Sequence, residues 1–167
     1  AGWKEMVENV RHPEQEAEIA MVGKYTQLEE AYLSVVEGLK QGGIGSRVNV
    51  DLRWEDSEES TNEKVEERLS GVEGILVPGG FGPRGTEGMI TAIRYAREKK
   101  IPFLGICLGM QMAIVEYARD VLGYADANSI ELDPETTHPV IALMPDQEDI
   151  EDLGGTLRLG AYPCILK

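Results

Sequence analysis

The sequence predicts an α/β fold, an open and mainly parallel sheet with helices on both faces. Three observations carry that reading. Short apolar runs alternate with stretches whose apolar residues recur at helical intervals. Two of the runs stop at glycine-rich turns, "PGGFGPRG" at 78–85 and "GICLG" at 105–109. Strands separated by helices need right-handed crossovers, which leave neighbouring strands parallel and both sheet faces covered.

The first residues, "AGWKEMVENVRHPEQEAE" (1–18), are acidic and polar. They read as a helical turn or two and a linker from an upstream domain. "IAMVG" (19–23) is a short strand. Thr26 and Glu29 have capping-box spacing, and Leu28, Tyr32, Val35, Val36 and Leu39 follow at helical intervals up to Gly42 and Gly43. "RVNVDLRW" (47–54) places Val48, Val50, Leu52 and Trp54 on one face of a strand. Ser60 and Glu63 repeat the capping-box spacing ahead of a short helix with Val65 and Leu69. "GILVPGG" (74–80) is an apolar strand stopped by proline and glycine. Thr86 opens a helix with Met89, Ile90, Ile93 and Ala96 inward. Residues 101–106 read as a short buried strand, and 108–122 as a helix closed by Gly123. "HPVIALM" (138–144) and "GGTLRLGAYPCILK" (154–167) are strand-like, and "MPDQEDIEDLGG" (144–155) is a solvated loop between them. No internal repeat is present.

A chain of 167 residues fits one domain with a sizeable core. Its 42% hydrophobic and 28% charged residues are ordinary for a soluble globular protein. The net charge of −14 argues against nucleic acid or an anionic membrane as a partner, since both would repel it. A small anionic ligand at a local site stays compatible. No apolar run approaches the roughly 20 residues of a membrane span, and no signal pattern opens the chain. The expectation is a cytoplasmic protein. Two cysteines, Cys107 and Cys164, do not make a disulfide framework. No Cys/His spacing suits structural zinc, so no metal site is expected.

Sites in open parallel sheets form outside the carboxyl ends of the strands. Cys107 falls there, between Gly105-Ile106 and Leu108-Gly109, in the G-x-nucleophile-x-G form of a nucleophile elbow. A sharp strand-to-helix turn strains the backbone at the nucleophile, and the flanking glycines let the chains pass closely. The thiol then stands at a helix N-terminus, whose positive dipole end favours negative charge on sulfur. The N–H of Leu108 is free to receive a developing oxyanion. The Gly79-Gly80 strand end supplies a second donor, and losing one such donor costs about 10²–10³ in rate. A lone cysteine in an apolar strand is more often packing material. The glycine frame and the neighbouring glycine-rich strand end turn the argument toward chemistry.

Other residues carry less. Cys164 lies in a strand-like stretch and reads as core. "GKYT" (23–26) imitates the tail of a phosphate loop, but Glu18 stands where that motif needs its upstream glycine. Asp133, Glu135 and His138 have ligand chemistry, yet loop polarity explains them more simply. Glu58, Glu59, Glu63, Glu66 and Glu67 read as a solvated face.

At "PGGFGPRGTEGMI", "PFLGICLGMQMA" and "DLGGTLRLG" the chain resembles the class I (triad) glutamine amidotransferase domain of CTP synthases. "IAMVGKYTQLEEAYLSVVEGL" resembles the start of the same domain, so the match runs from about Ile19 to the end. The resemblance implies a flavodoxin-like core in residues 19–167. It also implies that Cys107 attacks the side-chain amide of L-glutamine and forms a glutamyl thioester. The released ammonia would then travel to an N-terminal synthetase domain of the same polypeptide, which uses ATP and Mg²⁺ to aminate UTP. By the same resemblance, Gly80 and Leu108 form the oxyanion hole, and Gly79, Phe81, Gln111 and Glu131 help hold glutamine. Arg84, Gly85 and Glu87 match a segment linked to activation by GTP. No cofactor is implied in this domain itself, and the intact enzyme is implied to be a homotetramer.

One departure stands out. The family's catalytic His and Glu and a substrate-binding Arg lie downstream of "LGGTLRLG", and the sequence stops at Lys167. The expectation is a domain truncated before that His and Glu, inactive or weakly active alone. His12-Pro13-Glu14 imitates the family's His-Pro-Glu signature but precedes the first core strand, whereas the family's follows a late one. Two other readings stay open. One is another class I amidotransferase or a γ-glutamyl hydrolase, against which "DLGGTLRLG" argues. The other is a non-catalytic regulatory module, since a base is missing.

Overall fold

The computed structural model describes residues 2–143. The readings made for "MPDQEDIEDLGG", "GGTLRLGAYPCILK", "DLGGTLRLG" and Cys164 lie outside them. Helix α1 (Trp3–Arg11) leads into β1 (Gln15–Gly23). After a 3-10 turn come α2 (Leu33–Ser46) and β2 (Val48–Asp56), then α3 (Val65–Leu69) and β3 (Gly74–Val77). Helix α4 (Thr86–Lys99), β4 (Phe103–Gly105) and α5 (Leu108–Asp120) follow. The short strands β5 (Asn128–Ser129) and β6 (Pro139–Ile141) pair with each other in a separate parallel sheet.

The main sheet has the order β2-β1-β3-β4, all parallel. It is the α/β, flavodoxin-like arrangement expected from the alternation of elements. Period-two side chains divide it into two faces. Ala20, Val22, Ile75 and Val77 pack on α4 and α5 through Met89, Ile93, Met112 and Val115. Met21 and Leu76 face the other way and pack on Tyr32 and Val36. Between α5 and α4, the buried Glu116 carboxylate accepts hydrogen bonds of 2.7–3.2 Å from Arg97. A buried carboxylate of this kind is tolerated only when so paired.

Several expected boundaries move. The first strand begins at Gln15, so part of the predicted 1–18 linker belongs to the sheet. Its polar start is stabilised sideways rather than by burial. Glu14 pairs with Arg47, Glu18 pairs with Arg53, and the Glu18 N–H donates to Glu73 at 2.7 Å. Neither helix starts where its capping-box spacing puts it. The helix expected from Thr26 starts at Leu33 and leaves Leu28 exposed, and the helix expected from Ser60 starts at Val65 behind Lys64. α2 does not stop at Gly42 and Gly43 but runs on to Ser46. The reason is packing: a Cβ on Gly43 would lie 2.5 Å from the Val48 carbonyl oxygen. The predicted buried strand 101–106 contracts to Phe103–Gly105, with Leu104 53% exposed. Among the described residues β4 is an edge of the sheet, so its apolar run is not covered on both sides.

Candidate active site

The carboxyl ends of β1, β3 and β4 open on one edge of the sheet. The chain leaves β4 through Ile106 and Cys107 and enters α5 at once. Cys107 is exposed, with φ 53° and ψ −110°. A non-glycine residue held there stores about 1–3 kcal/mol of strain. Two hydrogen bonds and two close approaches fix it. The Ile106 N–H donates to the Val77 carbonyl at 2.9 Å, and the Gly109 N–H donates to the Ile106 carbonyl at 3.0 Å. A Cβ on Gly109 would lie 2.0 Å from the Val77 oxygen. A Cβ on Gly105 would lie 2.7 Å from the Gly109 backbone. Only glycines let β3, β4 and the first turn of α5 approach this closely, as the spacing predicts.

The second glycine-rich crossing, residues 78–85, lies against the elbow. A Cβ built on Gly79 would lie 3.5 Å from the Cys107 Cβ, and one on Gly80 would lie 3.4 Å from Leu108 Cδ2. Among the described residues neither the Gly80 nor the Leu108 N–H has an acceptor. Two donors without partners beside an exposed thiol have the composition of an oxyanion hole. Phe81 is 81% exposed at the rim.

Lys24 was not singled out from the sequence, yet it organises this loop. It follows the last residue of β1 and is only 4% exposed. Its Nζ donates to the Phe81 carbonyl at 3.0 Å and to the Gly82 carbonyl. Burial pushes its ammonium below the usual lysine range and nearby Arg84 adds to that, while Glu131 and Glu58 act in the opposite sense. The available signal is a lysine directly after an apolar central strand, in the "GKYT" stretch that lacks the upstream glycine of a phosphate loop. Arg84 ties the same loop from outside. It pairs with Glu58, donates to the Lys24 carbonyl at 3.1 Å, and lies 6.0 Å from the centre of the Tyr25 ring. Gly85 takes a left-handed φ of 69° as the N-cap of α4. Glu87, in the first turn, pairs with Arg119 at 3.0 Å.

Gln111 is half-buried one turn after Cys107, and its N–H donates to the Cys107 carbonyl at 3.1 Å. Glu131 is exposed in the turn after β5. Its negative charge opposes the downward shift of the Lys24 ammonium.

The other polar candidates fall away from the thiol. His12 caps the C-terminus of α1 and lies 3.5 Å from Glu8. It precedes β1, whereas Cys107 follows β4, so a strand length of about 30 Å separates the two edges. His138 hydrogen-bonds Asp126 at 2.5 Å and stacks on Tyr124. Hydrogen bonds from Thr137 and His138 hold the Asp126 carboxyl well below its usual range. Asp133 Oδ1 accepts from the Glu135 N–H at 3.1 Å, an Asx turn. Among the described residues no cluster of His, Cys, Asp or Glu suits a metal ion. No described helix is long and apolar enough to cross a membrane.

Comparison with known proteins bears on this geometry. A CTP synthase of Clostridium perfringens is 59% identical over 167 residues, all of this chain and 31% of that protein. A CTP synthase of Halalkalibacterium halodurans is 59% identical over 165 residues, again 31% of its length. The chain thus spans about a third of the curated relatives it matches. A solved structure, the glutaminase domain of Trypanosoma brucei CTPS with bound acivicin, superposes with a TM-score of 0.75 at 40% identity. That match covers 80% of this chain and 52% of the other. The family description "Glutamine amidotransferase class-I" fits residues 27–167. With most of its length matched and its cysteine set in the expected elbow, the chain belongs to the class I glutamine amidotransferases.

Proposed function

We propose that the chain is the glutaminase domain of a CTP synthase. The observation that carries this reading is the strained Cys107 beside two unpartnered N–H groups, in a chain similar along its whole length to CTP synthases. In the proposed reaction the Cys107 sulfur attacks the side-chain amide carbon of L-glutamine. The carbonyl electrons move onto oxygen, where the Gly80 and Leu108 N–H groups receive the charge. The carbonyl re-forms as the C–N bond breaks, and the nitrogen takes a proton and leaves as ammonia. Water then cleaves the glutamyl thioester to glutamate. The family resemblance assigns the proton transfers to a histidine downstream of "LGGTLRLG". Neither His12 nor His138 hydrogen-bonds Cys107.

Gln111 and Glu131, with Gly79, Phe81 and Leu108, form the proposed glutamine pocket. The ammonia serves a separate synthetase domain that consumes ATP and UTP with Mg²⁺, in a homotetrameric enzyme. GTP acts through the segment of Arg84, Gly85 and Glu87, where an anionic ligand would compete with Glu58 for Arg84. A cytoplasmic location fits these substrates.

The test uses the full-length protein. Cys107→Ala abolishes glutamine-dependent formation of CTP and leaves the ammonia-dependent reaction intact. An electrophilic glutamine analogue labels Cys107 and spares Cys164. Glutamine-dependent turnover in the alanine variant overturns the reading.

A further inference from the structure

We propose that Asp126 is a positioning residue that closes the loop carrying Glu131 and so sets that carboxylate for glutamine. The inference rests on the glutaminase reading above and on the place of Glu131 in its pocket. The first observation is the grip. Asp126 Oδ2 accepts from the Thr137 N–H at 2.9 Å and from the Thr137 hydroxyl at 2.5 Å, and Oδ1 bonds His138 Nδ1 at 2.5 Å. The Asp126 carbonyl accepts from the Thr136 hydroxyl at 2.6 Å. Residues 136, 137 and 138 are thus tied to one aspartate, and the Tyr124 ring stacks on His138 at 4.7 Å.

The second observation is what lies between. Glu131 stands near the middle of 126–138, in a turn whose own bonds are local. Its N–H donates to the Ser129 hydroxyl at 3.3 Å, and the Leu132 and Asp133 N–H groups donate to the Ser129 carbonyl at 3.0 and 2.9 Å. Strand β5 has two residues and β6 three, a ladder too short to fix a turn alone. The third observation is the anchorage to the helix that starts behind Cys107. Ala127 is fully buried, and its carbonyl accepts from Arg119 Nε of α5 at 2.7 Å. Leu132 packs on the core cluster that contains Leu108 and Met112 of the same helix. A loop referenced to α5 at one end and clasped at the other leaves the residue at its middle few conformations. The Asp126 side chain is 45% exposed, so the clasp adds little to global stability and its effect is local. Asp126 makes no hydrogen bond to Glu131 and acts through the main chain between them.

The test is Asp126→Ala in the full-length protein. The KM for glutamine is expected to rise about tenfold, the low end of what one charge-assisted hydrogen bond contributes, and no further than in Glu131→Gln. The kcat stays within about threefold, because Cys107 and the oxyanion donors are untouched. Thr137→Val keeps the Asp126 charge, removes one of its bonds, and raises the KM about threefold. In the Glu131→Gln background Asp126→Ala adds nothing to the KM, since the residue it positions is already gone. Ammonia-dependent formation of CTP keeps its wild-type rate. Hydrogen exchange rises in a peptide covering 127–138 and not in one covering 108–120. An unchanged KM in Asp126→Ala overturns the proposal. An equal rise with and without Glu131 also overturns it, and assigns Asp126 a direct effect of its charge on the substrate. Loss of ammonia-dependent activity, or faster exchange in both peptides, overturns it in favour of a general folding role. An unchanged KM in Glu131→Gln alone would instead sink the pocket reading, and the proposal with it.

Discussion

Between β4 and α5 the chain passes from strand to helix through Ile106 and Cys107 alone, whereas between β3 and α4 it takes residues 78–85. Both crossings are glycine-rich, and both border the thiol. The short one is held by backbone sterics. Gly105 and Gly109 sit where no Cβ fits, and the strain gathers at Cys107. The long one is held by side chains from elsewhere: Lys24 after β1, and Arg84 pinned to Glu58. A turn of the first kind has one solution, because its neighbours are backbone atoms that cannot move aside. A turn of the second kind depends on flexible cationic side chains that can deform or exchange partners.

Substitutions at the two crossings are therefore expected to differ in size and in kind. The largest loss of stability is expected for Gly109→Ala, whose Cβ would sit 2.0 Å from the Val77 oxygen. Backbone must shift to admit it, at about 3 kcal/mol, the upper part of the usual overpacking range. Chemical denaturation measures this, and a midpoint equal to wild type would show that the elbow is not sterically fixed.

Next comes Glu131→Gln, in the turn after β5. A carboxylate facing the α-ammonium of glutamine contributes about 1.5–3 kcal/mol through a charge-assisted hydrogen bond. The KM for glutamine should rise about tenfold or more, with ammonia-dependent activity unchanged. Unchanged glutamine kinetics remove Glu131 from the pocket.

Smaller and opposite in sign is Cys107→Gly. Relief of the strained φ, less the flexibility that glycine adds to the unfolded chain, should raise stability by about 1 kcal/mol while glutaminase activity disappears. A thermal melt decides: a lowered Tm means the elbow stores no strain at this residue. The smallest effect on stability is expected for Gly80→Ala, at about 0.5 kcal/mol or less. Its nearest contacts are side-chain carbons of Leu108 and Lys24 at 3.4 Å, which can yield. Its effect is expected in kcat instead. A large loss of stability there would erase the contrast between the crossings.

Residues that act through their immediate neighbours were readable from the chain. The inward faces of α4 at Met89, Ile90, Ile93 and Ala96 follow from helical period, and all four are buried. The alternation of Val48, Val50, Leu52 and Trp54 follows from strand period. Residues whose role depends on distant partners were not readable. Thr26 and Ser60 have the spacing of caps, but the helices begin elsewhere because packing outweighs a cap of about 1 kcal/mol. The polar start of β1 reads as linker until Arg47, Arg53 and Glu73 are brought beside it.

The candidate site divides in the same way. Local sequence alone made the elbow legible, because its signature lies within five successive residues: a strand end, a cysteine at a helix start, and glycines two before and two after, although Val77 of the neighbouring strand closes it. Only the tertiary structure decided how the second glycine loop is held. Lys24 and Gly82 are 58 residues apart, and Arg84 and Glu58 are 26 apart. Nothing in "GKYT" says where its lysine points. The parallel pairing of β1 with β3 brings the carboxyl ends of the two strands together, and the lysine, shut off from water, bonds the carbonyls it meets there.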